Sequence, residues 1–192
     1  MTAISRRDQI IDAADDLFYR QGFEHTSFAH IATAVGISRG NFYYHFRSKD
    51  EILHAVIEAR LAKTRDMLHD WEIDSTTPAQ RIRCFIRILI MNRARIKNFG
   101  CPVGSLSTEL NKLNHPSGPD ANRLFSLFRN WLASQFEQLG RSADADDLAM
   151  QLLAASQGAA TLASAFNDEG FLHKEAERMN QWLDDLICEK SH

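Results

Sequence analysis

The sequence predicts an all-α chain of about nine helices, with a three-helix helix-turn-helix unit at the N-terminus and a larger helical region after it. Three observations predict this. Helix-breaking residues are scarce, with four Pro and nine Gly in 192 residues. Apolar residues recur at intervals of three and four along Ala- and Leu-rich stretches, the spacing that gives a helix one apolar face. Hydroxyl and carboxylate residues stand where helix N-termini need them.

Each element has its own punctuation. Ser5 can cap the first helix, with Asp8 three residues on as the capping-box acid. Ile10, Ala13, Ala14 and Leu17 then share a face, and Gly22 stops the helix. Thr26 or Ser27 opens a short second helix carrying Phe28, Ile31, Ala32 and Val35, which Gly36 ends. Ser38 caps a third, from about Arg39 to Phe46, in which Phe42 and Phe46 are four apart and share a face. Ser48-Lys49-Asp50-Glu51 forms the capping box of a fourth helix running to about His69. Residues 72–78 read as a loop, with Pro78 at a helix start. A fifth helix covers about 79–97, Gly100-Cys101-Pro102 breaks it, and a short helix follows around Ser105–Leu113. After the loop 114–119, periodic segments span about 120–139, 143–167 and 171–189, separated by Gly140 and Gly170.

Charge divides unevenly along the chain. The net charge is −3, which excludes a uniformly basic nucleic-acid binder. Residues 1–100 hold 15 Lys and Arg against 12 acids, whereas residues 101–192 hold 7 against 13. A mildly basic half joined to an acidic half fits a reader of polyanions attached to a domain with another task. The N-terminus lacks the apolar core of a secretory signal, and no apolar stretch reaches membrane-span length, so a soluble cytoplasmic chain without membrane contact is expected. Cys84, Cys101 and Cys188 are too few and too scattered for a disulfide framework. Without a Cys-x-x-Cys pair or a finger-like histidine pattern, no metal and no cofactor are expected.

The informative stretch is HTSFAHIATAVGISRGNFYYHFRSKDEI, residues 25–52. It reads as a short helix, a glycine turn and a second short helix. Ala32 is small where the helices approach, and Ile37, Phe42 and Phe46 fill the space beneath. Arg39, Gly40, Asn41, Tyr43, Tyr44 and His45 remain outward. From Arg39 to Lys49 there are three cationic side chains and no carboxylate. Such a face suits phosphates and base edges in a DNA major groove, and so short a helix calls for two half-sites and a dimer.

Over about residues 5–55 the chain resembles the DNA-binding domain of the tetracycline-repressor (TetR) family, in the turn-glycine spacing, the phrase SRGNFYYHFRSKDEI and the helix directly following. The resemblance implies a ligand-responsive regulator, expected to repress by binding double-stranded operator DNA as a homodimer, with release by a small-molecule or electrophile effector of unknown identity. It implies a DNA-binding domain at residues 1–50 and a helical effector-binding and dimerisation domain at 51–192. It places Thr26 and Ser27 at phosphates, Ser38, Arg39, Gly40 and Asn41 against bases and backbone, and Tyr43, Tyr44 and His45 on phosphates. Lys49 is placed on a backbone phosphate, and Arg6 and Arg7 are further candidates. An activator of the same family is the alternative.

The remaining residues show no catalytic constellation: His115 and His173 stand without a nucleophile at motif spacing, and no Gly-rich phosphate loop occurs. An all-helical enzyme with Cys101 as nucleophile would lack a base partner. Phe85, Leu89, Phe99, Cys101, Phe125, Phe128, Trp131 and Phe166 are candidates to line an effector pocket, and at helical spacing the apolar ones read more readily as core. Ala154, Ala155, Gly158, Ala159 and Ala163 mark a close-packing helix surface, read as a dimer face or as interior. The run FGCPVGSLSTEL, residues 99–110, resembles one branch of the family in which a cysteine detects electrophiles. A helix N-terminus and Lys97 would activate Cys101; the rival reading is a tight packing corner.

Overall fold

The computed structural model describes residues 5–188, the side chain of Arg39 excepted. Ten helices account for most of them: α1 (Arg6–Gln21), α2 (Phe28–Val35), α3 (Arg39–His45), α4 (Lys49–Asp74), α5 (Pro78–Met91), α6 (Arg93–Phe99), α7 (Pro102–Lys112), α8 (Gly118–Gln138), α9 (Ala145–Ala165) and α10 (Glu169–Cys188). Among the described residues there is no strand. The chain divides into two compact units, one of residues up to Thr64 with 102–124 and the other of 65–101 with 125 onward.

The tenth helix arises because the segment read as one helix over 79–97 is two. Asn92 breaks it. Both its backbone N–H and its side-chain amide donate to the carbonyl of Ile88, each at 3.0 Å. A side chain competing for the ladder's own acceptor is the usual reason asparagine interrupts helices. Two helices are longer than their sequence signals: α4 continues to Asp74, which leaves only residues 75–77 as a loop, and α7 begins at Pro102 rather than Ser105; α9, at 145–165, is shorter than the segment expected over 143–167. Pro102 costs nothing at that first position, where its missing N–H has no intrahelical acceptor.

In the first unit α1 buries Ile10, Ile11, Ala14 and Phe18, and packs on α2 and α7. Ile52, Leu53, Val56 and Ile57 of α4 are fully buried, as is Leu110 of α7. Gly36 ends α2 in the left-handed region, at φ 69° and ψ 39°. Its N–H donates to Thr33 O and that of Ile37 to Ala32 O, the paired bonds of a Schellman turn. Arg60 is nearly buried and binds Asp15 at 2.6 Å and the Pro102 carbonyl at 2.7 Å, so α7 is tied to α4 within this unit.

In the second unit α5 packs on α10, and α9 on both α10 and α6. Ile82, Phe85, Ile86 and Leu89 form the inner face of α5, and Leu172, Met179 and Leu183 that of α10. Gln135 is fully buried, its side-chain oxygen accepting from Arg81 at 3.3 Å. Trp131 meets Trp71 edge-on at 5.6 Å and donates its indole N–H to Glu72 at 2.8 Å. Hydrogen bonds from Arg129 hold the Asp146 carboxyl below the usual carboxylate range, and Arg141 does the same for Asp144. A depressed acid stabilises the fold above its unfolded pKa and ceases to as pH falls through its folded one; both acids sit at the surface, where solvent screens the effect.

Two turn glycines should respond differently to a methyl group. Gly22 has φ 90° and ψ 157°, a region open essentially to glycine alone, and an added Cβ would lie 2.8 Å from Glu109 Oε1. At Gly36 the Cβ would meet nothing within 4 Å. Gly36→Ala is expected to cost about 1 kcal/mol and Gly22→Ala about 3 kcal/mol. Urea midpoints at constant m-value check this; equal losses would refute the strain argument.

Candidate nucleic-acid interface

α3 has seven residues and needs outside support. Ser38 supplies it at one end, its Oγ accepting the Asn41 N–H at 3.3 Å. Phe42 and Phe46 supply it from below, at 1% and 0% exposure. Phe28 of α2 packs edge-on against Phe42 at 5.1 Å and meets the Tyr43 ring at a tilt, 5.5 Å away. The helix is pinned on its apolar side, which leaves Gly40, Asn41, Tyr43 and Tyr44 exposed and His45 half-buried. Tyr44 is 86% exposed and Tyr43 52%, and the Tyr44 ring meets His45 edge-on at 5.4 Å. Arg39 opens the helix, but its side chain lies outside the described residues.

The start of α2 is equally well defined. Ser27 is exposed, and its Oγ accepts the His30 N–H at 3.2 Å. His30 reciprocates with Nδ1, which accepts from the Ser27 N–H at 3.3 Å and lies 3.2 Å from Gln21 Nε2. An acceptor role for Nδ1 places the ring proton on Nε2. Serine with histidine thus does the work the capping box normally assigns to glutamate or glutamine.

Some of the side chains expected at phosphates have partners within the chain. Thr26, expected at a phosphate, is 1% exposed, and its hydroxyl donates to Gly22 O at 2.6 Å. It closes the α1–α2 turn, because a buried hydroxyl must find a partner inside. Lys49, also expected on a phosphate, donates from Nζ to Phe23 O at 3.0 Å and Glu24 O at 3.3 Å. Arg6 and Arg7 lie within α1 instead of preceding it, and the Arg7 guanidinium sits over the Phe46 ring at 4.8 Å.

Among the effector-pocket candidates, Phe85, Leu89, Phe128 and Trp131 are buried, with Phe85 and Phe128 edge-on at 5.5 Å. Phe99, Cys101 and Phe125 are half-buried. Phe166 is 76% exposed at the end of α9 and does not line that cluster. Lys97, read as an activator of Cys101, forms an ion pair with Glu169 at 3.2 Å, and Arg93 approaches the same carboxylate. A cleft of about 500 Å³ opens elsewhere, between α1 and α4, lined by Arg7, Ile11, Glu51, His54 and Glu58 among others.

Two residues essential to the geometry carried no signal in the sequence. Glu109 of α7 accepts the Phe23 N–H at 2.9 Å and the Glu24 N–H at 3.0 Å, across more than eighty residues. His115, which stood alone in the sequence, accepts the Ser117 N–H on Nδ1, points Nε2 at Asp50 at 3.4 Å, and packs edge-on against Phe23 at 5.0 Å. A helix-face glutamate and a loop histidine look like solvated residues until the fold brings their partners.

Known proteins share these features. Residues 10–56 match the model for bacterial regulatory proteins of the tetR family. Residues 78–178, over half the chain, match that for the C-terminal domain of LmrA/YxaF-like transcriptional regulators. A helix-turn-helix transcriptional regulator from the lacX 3′ region of Lactococcus lactis is 27% identical over 135 residues, 69% of each chain. The regulator TtgR of Pseudomonas putida is 42% identical over 62 residues, which span 32% of this chain and 29% of TtgR. The crystal structure of a TetR transcriptional regulator from Legionella pneumophila matches with a TM-score of 0.83 at 26% identity, over 97% of this chain and all of that one. No described helix is long and apolar enough to cross a membrane. A pinned recognition helix, two matching family models and a shared fold together establish that this chain belongs to the TetR family of helix-turn-helix transcriptional regulators.

Proposed function

We propose that the chain is a cytoplasmic, ligand-responsive repressor that grips a palindromic operator as a homodimer and lets go when a small molecule or an electrophile binds. The observation that carries the DNA half of this reading is the outer face of α3. An exposed tyrosine at 86%, a second at 52% and an uncapped amide side chain, with no carboxylate between Arg39 and Lys49, make poor surface filler and good phosphate ligands. In this reading Ser27, Tyr43, Tyr44 and His45 hold the backbone, while Ser38, Arg39, Gly40 and Asn41 approach base edges. Residues 1–50 carry the reader; residues 51–192 supply effector binding and dimerisation.

The dimer contact is assigned to α9. Met150, Ala154, Gly158, Leu162 and Phe166 are exposed at intervals of four, and Leu162 and Phe166 are 44% and 76% exposed. Such a row is an i±4 ridge, small at its middle, which lets a second copy of the helix approach closely. The effector is assigned to the helices around the Phe85–Phe128 pair, with Leu89, Phe99, Phe125 and Trp131 as further candidate lining residues, apolar groups suited to a small molecule. Its binding releases DNA only to the extent that it prefers the non-binding arrangement. Cys101 stands two residues after Phe99 and precedes the first turn of α7, which suits a thiol that reports electrophiles.

Three outcomes test the reading. Tyr44→Ala should weaken gel shifts about tenfold on matched and mismatched duplexes alike, since a phosphate contact carries no sequence information, whereas Asn41→Ala should flatten the preference between them. Leu162→Glu should convert a dimer in analytical ultracentrifugation to a monomer at micromolar concentration; a wild-type monomer there would sink the α9 assignment. N-ethylmaleimide labelling of Cys101 should release DNA in the wild type but not in Cys101→Ser, and unchanged affinity after complete labelling would remove the thiol from the mechanism.

A further inference from the structure

We infer that His30 is a positioning residue for DNA binding: its neutral imidazole closes the DNA-facing start of α2, and taking up a proton on that ring loosens the grip on an operator. The inference rests on the reading of α2 and α3 as the DNA-facing helices.

Two donors converge on one ring nitrogen. The Ser27 N–H reaches His30 Nδ1 at 3.3 Å, and Nε2 of Gln21, the last residue of α1, lies 3.2 Å from the same atom. The Gln21 carboxamide is oriented by the His25 carbonyl, to which Nε2 also donates at 3.3 Å. Neither donor can accept, so Nδ1 accepts from both and the ring is neutral, with its proton on Nε2. The glutamate or glutamine usual at this position of a capping box offers an acceptor throughout the neutral range; a histidine offers one only while it is uncharged. A further proton would sit on Nδ1, facing two N–H groups. It would also put a cation in the first turn of α2, at the positive end of the helix dipole.

The surroundings do not compensate such a charge. Among the described residues no carboxylate pairs with the His30 ring. α1 and α3 pack on α2. From α1 the neutral Gln21 meets the ring, and the neighbouring Arg20 and Asp16 pair with each other at 3.4 Å. The described titratable side chain of α3 beside its tyrosines is His45, whose ring meets Tyr44. In the turn, Glu24 and His25 are exposed, and His25 reaches this cluster through its carbonyl.

The first turn of α2 carries the interface. Ser27, its exposed cap, is read as a phosphate ligand, and Phe28, the next residue, holds α3 through Phe42 and Tyr43. With eight residues, α2 has little helix left to spare once that turn frays. Opening the Ser27–His30 cap therefore lowers the fraction of chains whose α2 and α3 are set for DNA, and apparent affinity falls by that fraction.

A pH profile separates this role from simple capping. The probe is a duplex that the full-length wild-type chain selects from a random-sequence library at about pH 8, where imidazole is neutral. There His30→Ala is expected to weaken binding about fivefold, and His30→Gln, whose side-chain oxygen can accept the Ser27 N–H, to recover most of that loss. Between about pH 8 and about pH 5.5 the wild type should lose about fivefold relative to His30→Gln, a ratio in which the titration of the other histidines cancels. A ratio that stays flat would overturn the inference, and so would one that rises, which would mean that the imidazolium grips phosphate itself. In the free full-length protein at about pH 8, ring-nitrogen NMR should find His30 Nδ1 bare and Nε2 protonated; the opposite tautomer would also overturn it. A wild-type chain that selects no duplex would instead overturn the DNA-facing reading, and the ring-nitrogen spectrum of the free protein tells the two failures apart.

Discussion

A helix of seven residues in water is not a stable object, because the cost of nucleating it exceeds what its few backbone hydrogen bonds return. Everything around α3 answers that constraint. Two phenylalanines hold it from beneath, a serine closes its N-terminus, and the aromatic ring of Phe28 fixes its tilt. Because the stabilising contacts lie all on one side, the other side is released from any structural duty. Its side chains can be chosen for what they recognise, which is why a tyrosine can stand almost wholly in solvent there.

The helices are joined by a repeated device. Gly36, Asn114, Gly140 and Asn167 all take positive φ, between 48° and 78°, one or two residues after a helix ends. In each case the next residue's N–H reaches back to a carbonyl five residues earlier: Ile37 to Ala32, His115 to Leu110, Arg141 to Phe136 and Asp168 to Ala163. This satisfies carbonyls that the helix leaves open and turns the chain sharply. Asparagine serves twice because it tolerates the left-handed region better than other residues with a side chain. At Asn114 the turn has a second effect, since it delivers the His115 ring onto Phe23.

Local chemistry was legible in the sequence, and long-range chemistry was not. The caps at Ser5, Ser38 and Ser48, the stops at Gly22 and Gly36, and the buried Phe42 and Phe46 follow from spacing alone, because each concerns residues within one turn of one another. The exposed face of α3 follows from the same spacing. Thr26 and Ser27 were equivalent as caps, and only the turn decides that one is buried and the other exposed. Asn92 looked like an ordinary polar residue in a helix; its side chain competes with the backbone, a choice that tertiary packing settles. Phe166 was a candidate pocket residue on its aromatic character, which cannot distinguish a residue that lines a cavity from one that faces outward. Glu109 illustrates the limit, since the two N–H donors its carboxylate accepts from belong to a turn that lies far away in sequence.

The first unit is discontinuous: α7 and the start of α8 return to it after an excursion through α5 and α6. Chains are synthesised from the N-terminus, so the first sixty or so residues emerge long before the segment that completes their packing. During that interval the apolar surface later covered by Leu106 and Leu110 is bare, and two turn amides lack their carboxylate acceptor. The first unit therefore completes its packing only once α7 has emerged, and a chain cut off within α4 is expected to leave that apolar surface open to water rather than to fold as a small separate body.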